Sequence, residues 1–105
     1  MKILQEIQDD KTAFINVIGK VDCESAKTFS AIYEKEKIDI EHFAINLKSV
    51  NWSESCPSCA FGMIMLMANN LKSNQSIRVS FCHQEVKRFF DMMIYDQKIE
   101  VSEFN

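Results

Sequence analysis

Reactive side chains in this 105-residue sequence concentrate in one stretch, Ser53-Glu54-Ser55-Cys56-Pro57-Ser58-Cys59. Cys56 and Cys59 have the CxxC spacing, and the apolar run that follows places them at the start of a helix, where free N–H groups stabilise a thiolate. A thioredoxin-type site would require a cis-proline facing the motif, and Pro57 is the only proline in the chain. A zinc site would require two ligands beyond the CxxC pair. Cys23, Cys82 and His83 are the available donors, so the candidate cluster is Cys23, Cys56, Cys59, Cys82 and His83. Free cysteine most often packs as a small buried hydrophobe. The expectation is therefore reduced thiols with no metal and no cofactor. Ser55 and Ser58 have an equally plain structural use, since serine is a favoured helix N-cap. No Ser-His-Asp order with supporting turns and no Gly-rich phosphate loop is present, which argues against an enzyme.

The elements that must position these residues follow from hydrophobic periodicity. Ile3–Ile7 and Ala13–Ile18 read as two strands of a hairpin joined at Gln8-Asp9-Asp10-Lys11. Gly19 ends the second strand, and Asp22 is suited to cap the helix that follows. In that helix, Cys23 to Lys37, Ala26, Phe29, Ile32 and Tyr33 recur at spacings of three and four. Phe43–Leu47 is a third strand with Asn46 on its less buried side. A second helix runs from Pro57 to Lys72, proline being suited to a first turn because its missing N–H would be unpaired there. Ile77, Val79 and Phe81 alternate with Arg78 and Ser80 in a fourth strand. Val86, Phe89, Phe90, Met93 and Ile94 stripe a third helix, and Ile99 and Val101 mark a short last strand. His42, at a strand start, is expected on the surface.

Strand and helix alternate after the hairpin, so the fold class is α/β, with right-handed crossovers and a mostly parallel sheet of four to five strands. Polar Asn46, Arg78 and Ser80 predict that one sheet face is incompletely covered. Loops at the carboxyl ends of parallel strands share one edge, where such folds place function. That edge would hold Asp22-Cys23, Ser53 to Cys59, and Cys82-His83. In the second helix, Met63, Met65 and Met67 alternate with Ile64 and Leu66. Methionines on opposite faces cannot all point inward, so at least one is expected at the surface, where its flexibility suits an adaptable partner interface.

Composition narrows the function classes. Hydrophobic residues make up 47% and charged residues 26%, the balance of a soluble globular domain, and the length fits one domain over residues 1–105. The net charge of -3 and the scattered Lys and Arg argue against nucleic acid, which needs clustered cations. The longest apolar stretch, Cys59 to Ala68, is broken by Gly62 and too short for a bilayer. The N-terminal MKILQEIQDDK has no run suited to a signal peptide, so a cytoplasmic location is expected.

Three segments in register resemble the STAS domain of bacterial anti-sigma factor antagonists. Val17-Ile18-Gly19-Lys20-Val21-Asp22 is similar to the family's strand ending in Gly-x-Leu-Asp. Phe43 to Ser55 is similar to its buried strand and Asp-Ser-Ser-Gly turn. Ile77 to Phe90 is similar to its later strand leading into a helix. The resemblance implies a STAS-like sheet with an N-terminal hairpin strand and three main helices. It also implies a phosphoacceptor serine, a serine kinase partner, and a second helix bordering the partner-binding face. Carried over, Glu54 matches the turn's acid, Ser55 the acceptor and Asp22 the nearby acid. Cys56 replaces a small hydroxyl residue, Pro57 replaces glycine, and the segment is longer than the family's, so Ser58 is the alternative acceptor. A phosphate at a helix N-terminus is stabilised by the free N–H groups there. The function implied is a regulatory protein that docks on an anti-sigma factor serine kinase. Two alternatives keep the same fold: a subunit bracing the ATPase of a lipid-transport ABC system, and a thiol or metal sensor.

Overall fold

Seven residues from Lys2 to Gln8 form strand β1, and seven from Thr12 to Ile18 form β2, paired antiparallel from Lys2 against Ile18 to Gln8 against Thr12. Helix α1 (Cys23–Glu36), strand β3 (His42–Asn46), helix α2 (Pro57–Asn69), strand β4 (Ser76–Ser80), helix α3 (Gln84–Asp91) and strand β5 (Ile99–Val101) follow, with a one-turn 3-10 helix at Trp52–Glu54 before α2. The computed structural model describes residues 1–8, 11–36, 40–92 and 99–104, and the side chains of residues 30–36 are not described. The expected turn residues Asp9 and Asp10, the helix end at Lys37, and the stripe residues Met93 and Ile94 lie outside the described residues, as do the side chains of Ile32 and Tyr33.

The sheet has the order β1-β2-β3-β4-β5, with β2 through β5 mutually parallel. This is the mostly parallel five-stranded sheet with a hairpin strand and three helices that the pattern predicts. The register sets two apolar rows across it. Ala13, Phe43, Ile77 and Ile99 make one; Ile15, Ile45, Val79 and Val101 make the other. All of these are buried except Val101, which is partly so, and they pack with Phe29, Met63, Ile64, Met67, Val86 and Phe90 of the helices.

Strand order dictates where those helices lie. Every parallel connection steps the same way across the sheet, and crossovers are right-handed in nearly all cases. The three helices must then fall on one face. The opposite face carries the row Glu6, Phe14, Ala44, Arg78 and Glu100, flanked by His42 and Ser76 on one side and Asn16, Asn46 and Ser80 on the other. Phe14 is 39% exposed there, and a depression of about 360 Å³ lies among Phe14, His42, Arg78 and Glu100. The incompletely covered face expected from Asn46, Arg78 and Ser80 is thus, among the described residues, a consequence of topology. His42 is exposed as expected, its Nδ1 2.9 Å from Ser76 Oγ.

Two elements end earlier than the pattern predicts. Helix α2 stops at Asn69, where the Asn70 side-chain amide turns back to donate to the Leu66 carbonyl at 3.0 Å. Strand β4 stops at Ser80, because Phe81 takes φ +56°, a left-handed conformation that is an outlier for a bulky residue. Its N–H donates to the Phe104 carbonyl at 2.6 Å, and its ring lies 5.2 Å beneath Lys48 Nζ. Phe81 is therefore half-buried and does not extend the core row of Ile77 and Val79; the next buried side chain is Cys82.

Candidate functional site

The loops after β2, β3 and β4 meet at one edge of the sheet, and specific hydrogen bonds fasten them. Gly19 takes φ +90°, a region that costs a side-chain-bearing residue and suits glycine. Apart from Gly19 and its two chain neighbours, no atom of the described residues lies within 4 Å of where its Cβ would stand, so the backbone angle and not space demands glycine. This turn lets Gly19 donate its N–H to the Ser49 carbonyl at 3.0 Å and accept from Asn51 N–H at 2.8 Å. Further along, Cys56 N–H donates to the Val21 carbonyl at 2.9 Å.

Ser55 completes the joint. Its hydroxyl accepts from Val21 N–H at 2.9 Å and donates to the Asn51 carbonyl at 2.6 Å. The expected helix-capping role of Ser55 is therefore corrected: the N-cap of α2 is Cys56, and no side chain caps it. Ser58 does not cap either. It stands in the first turn of α2, exposed, with Oγ 3.1 Å from Cys56 Sγ. Glu54, the matched acid, is exposed in the 3-10 turn.

Asp22 does cap α1, as its position predicts. Its Oδ1 accepts from Ser25 N–H at 2.9 Å, and Ser25 Oγ reciprocally accepts from Asp22 N–H at 2.8 Å. This is the reciprocal geometry of a capping box with serine in the returning position. The Ser25 N–H, then the Ser25 hydroxyl, hold the Asp22 carboxyl below the usual carboxylate range.

The cysteines behave differently from the reduced set expected. Cys23, in the first turn of α1, forms a disulfide with Cys59, in the first turn of α2, with Cα atoms 5.3 Å apart. The CxxC partners Cys56 and Cys59 are therefore not paired with each other. Adjacent helices α1 and α2 bring their amino ends together because both start at the same sheet edge, and this closes the Cys23–Cys59 distance. Cys56 is a free, partly exposed thiol. Its pKa is lowered, first by the Ser58 hydroxyl and then by the Cys59 N–H. Cys82 is 3% exposed, and burial pushes its thiol up to about 12. His83 caps α3, its Nδ1 accepting from Glu85 N–H at 3.1 Å, and its ring rests 5.0 Å from that of Trp52. The five residues of the supposed zinc cluster thus have separate occupations, and among the described residues no three His, Cys, Asp or Glu side chains converge to hold a metal.

The expected methionine surface is corrected at two of its three residues. Met63 and Met67 are 1% and 2% exposed and belong to the core; only Met65 is partly exposed. They alternate in sequence, but at 100° per residue Met63 and Met67 share the inward side. The outward apolar residue is Leu66, 51% exposed, with Phe89 of α3 at 37%. Phe61 joins the two helices here, its ring 5.3 Å from that of Phe89 and 4.9 Å from that of Phe90. Leu66 has no chemical distinction in the sequence, and only its place relative to the core residues could have singled it out.

No protein-family model matches the sequence, and no curated protein matches it. Among solved structures, the chain is similar to the anti-sigma factor antagonist SpoIIAA in its unphosphorylated form, with a TM-score of 0.76 at 10% sequence identity, over 99% of this chain and 90% of that one. The chain therefore shares the fold of that structure, as the resemblance noted in the sequence implies.

Proposed function

We propose that the chain is a non-enzymatic regulatory module of the anti-sigma factor antagonist type, a single cytoplasmic domain over residues 1–105 that docks on a serine kinase and is switched by phosphorylation of Ser58. The fold supports the class. The acceptor assignment rests on one contrast: Ser55 Oγ is engaged on both sides by backbone groups, whereas Ser58 is exposed in the first turn of α2. A phosphate on Ser55 would remove the O–H that donates to the Asn51 carbonyl and would load the oxygen that accepts from Val21 N–H across the loops. On Ser58 it would stand in solvent at the positive end of a helix. Pro57 supplies no N–H, and Cys59 and Ala60 N–H already donate to the Cys56 carbonyl, both at 3.1 Å. The phosphate would be held loosely, which suits a mark that another protein reads and removes.

The docking surface in this reading is the outer side of α2, Ser58, Met65 and Leu66, continued by Phe89. A phosphate at its upper end adds negative charge to a surface whose remaining contact is apolar, so it weakens docking. Incubating the purified chain with the native cell's anti-sigma-type serine kinase and ATP tests this. Intact mass should show one added phosphate, fragmentation should place it on Ser58, and Ser58→Ala should abolish it. Phosphate on Ser55, or no complex between the two proteins in any nucleotide state, would overturn the proposal.

A further inference from the structure

We propose that Cys23, Cys56 and Cys59 form a thiol–disulfide exchange site, in which Cys59 passes between Cys23 on α1 and Cys56 at the start of α2. Cys59 is already bonded to Cys23. Cys56 precedes it by three residues in a turn closed by the Cys59 N–H donating to the Cys56 carbonyl at 3.1 Å. Cys56 is the N-cap of α2 and Cys59 its N3 residue, the two positions whose side chains lean toward each other over the first turn in a capping box. Cys56 is the free thiol at this corner, partly exposed, with Ser58 Oγ 3.1 Å from its sulfur. Those donors favour its thiolate, the attacking form. Cys82 is buried and is no competitor.

The step is an isomerisation. Cys56 first loses its proton to solvent. Its thiolate attacks Cys59 Sγ, and that electron pair becomes the Cys56–Cys59 bond. The Cys23–Cys59 bond breaks, and Cys23 leaves with the electron pair as a thiolate, then takes a proton from water. No oxidant or reductant is consumed. Cys23 sits at the amino end of α1, where helix N–H groups stabilise the departing thiolate and a stabilised thiolate leaves faster. The result moves the covalent link from between two helices to within one turn. It frees α1 from α2 at the corner where Ser55 and Asp22 lie, and it removes the Cys56 thiol from Ser58. In a cytoplasmic setting a disulfide is more often a sensing bond than a structural one, which fits a bond that can be handed on.

Non-reducing peptide mapping of the full chain tests this. The oxidised protein is incubated anaerobically between pH 6 and 9, quenched in acid, alkylated with N-ethylmaleimide and cut with trypsin. Residues 21–27 then carry Cys23, and residues 49–72 carry both Cys56 and Cys59. Two species are expected: 21–27 cross-linked to 49–72 with Cys56 alkylated, and internally bonded 49–72 beside alkylated 21–27. The second should form about tenfold faster per pH unit until Cys56 is fully ionised. Cys56→Ser should lose the second species completely. Cys23→Ser, oxidised with glutathione disulfide, should give only the internal bond, which keeps the test valid if the first variant does not fold. Quantitative alkylation of Cys56 at every pH with no internal bond, or a Cys23→Ser protein that forms none, would overturn the proposal.

Discussion

Cys56 is the cap of α2 and Cys82 stands just before the cap of α3 at the same sheet edge, yet their surroundings drive them in opposite directions. Cys56 has a hydroxyl and an N–H within reach of its sulfur, whereas Cys82 is enclosed among apolar groups, and burial pushes its thiol up to about 12. Brief iodoacetamide treatment of the native protein at pH 8 should therefore label Cys56 and spare Cys82, with Cys82 labelled only after urea is added; mass mapping reads both. Asp22 makes a second prediction at this scale. Its folded pKa is depressed by Ser25, so its contribution to stability is present above the ordinary carboxylate value and is lost as pH falls through the lower folded value. Asp22→Asn keeps a capping oxygen and loses the charge. The melting-temperature gap between the two proteins should thus be open at neutral pH and close on acidification. A gap that stays constant down to pH 2 would contradict the role given to the charge.

Helix α2 separates what periodicity can and cannot tell. Its existence, its proline start and its apolar character are legible in Pro57 to Ala68, as are the strands and the Asp22 cap, because each depends on neighbours in sequence. Which methionines face the core is not legible, since a helix apolar nearly all round has no pattern to fix its rotation. Only Phe61 against Phe90 and Met63 against the sheet settle it. Ser55 was hidden for a related reason: its partner Val21 is distant in sequence, and a capping motif looks identical whether or not a longer-range donor takes the oxygen. The Cys23–Cys59 pairing likewise depends on how two helix ends meet. The energetic consequence is direct. Met63→Ala should cost about 2–5 kcal/mol, as other buried large-to-small changes do. Leu66→Ala should stay within about 0.5 kcal/mol, as surface changes do. Urea unfolding distinguishes them, and equal losses would mean that α2 is rotated from the orientation described.

For the whole molecule, the Cys23–Cys59 link spans a sequence separation of 36 and ties the first crossover to the second. A loop of that size restrains the unfolded chain by about 3–4 kcal/mol in the chain-entropy treatment. Reduction with excess dithiothreitol should lower the urea midpoint correspondingly while leaving far-ultraviolet circular dichroism unchanged, because the sheet and core do not depend on the bond. Loss of secondary structure on reduction would show that the core cannot stand without it.

The sequential strand order has one more consequence, and it concerns time. Each strand pairs with the strand made just before it, so no gap must be held open for a segment still to be synthesised. A chain emerging from the ribosome can set β2 on β1, then add β3, β4 and β5 in turn, covering each with its own helix. Long-range pairing is slow because distant segments must find one another first. Here every strand's partner is already at hand when that strand arrives.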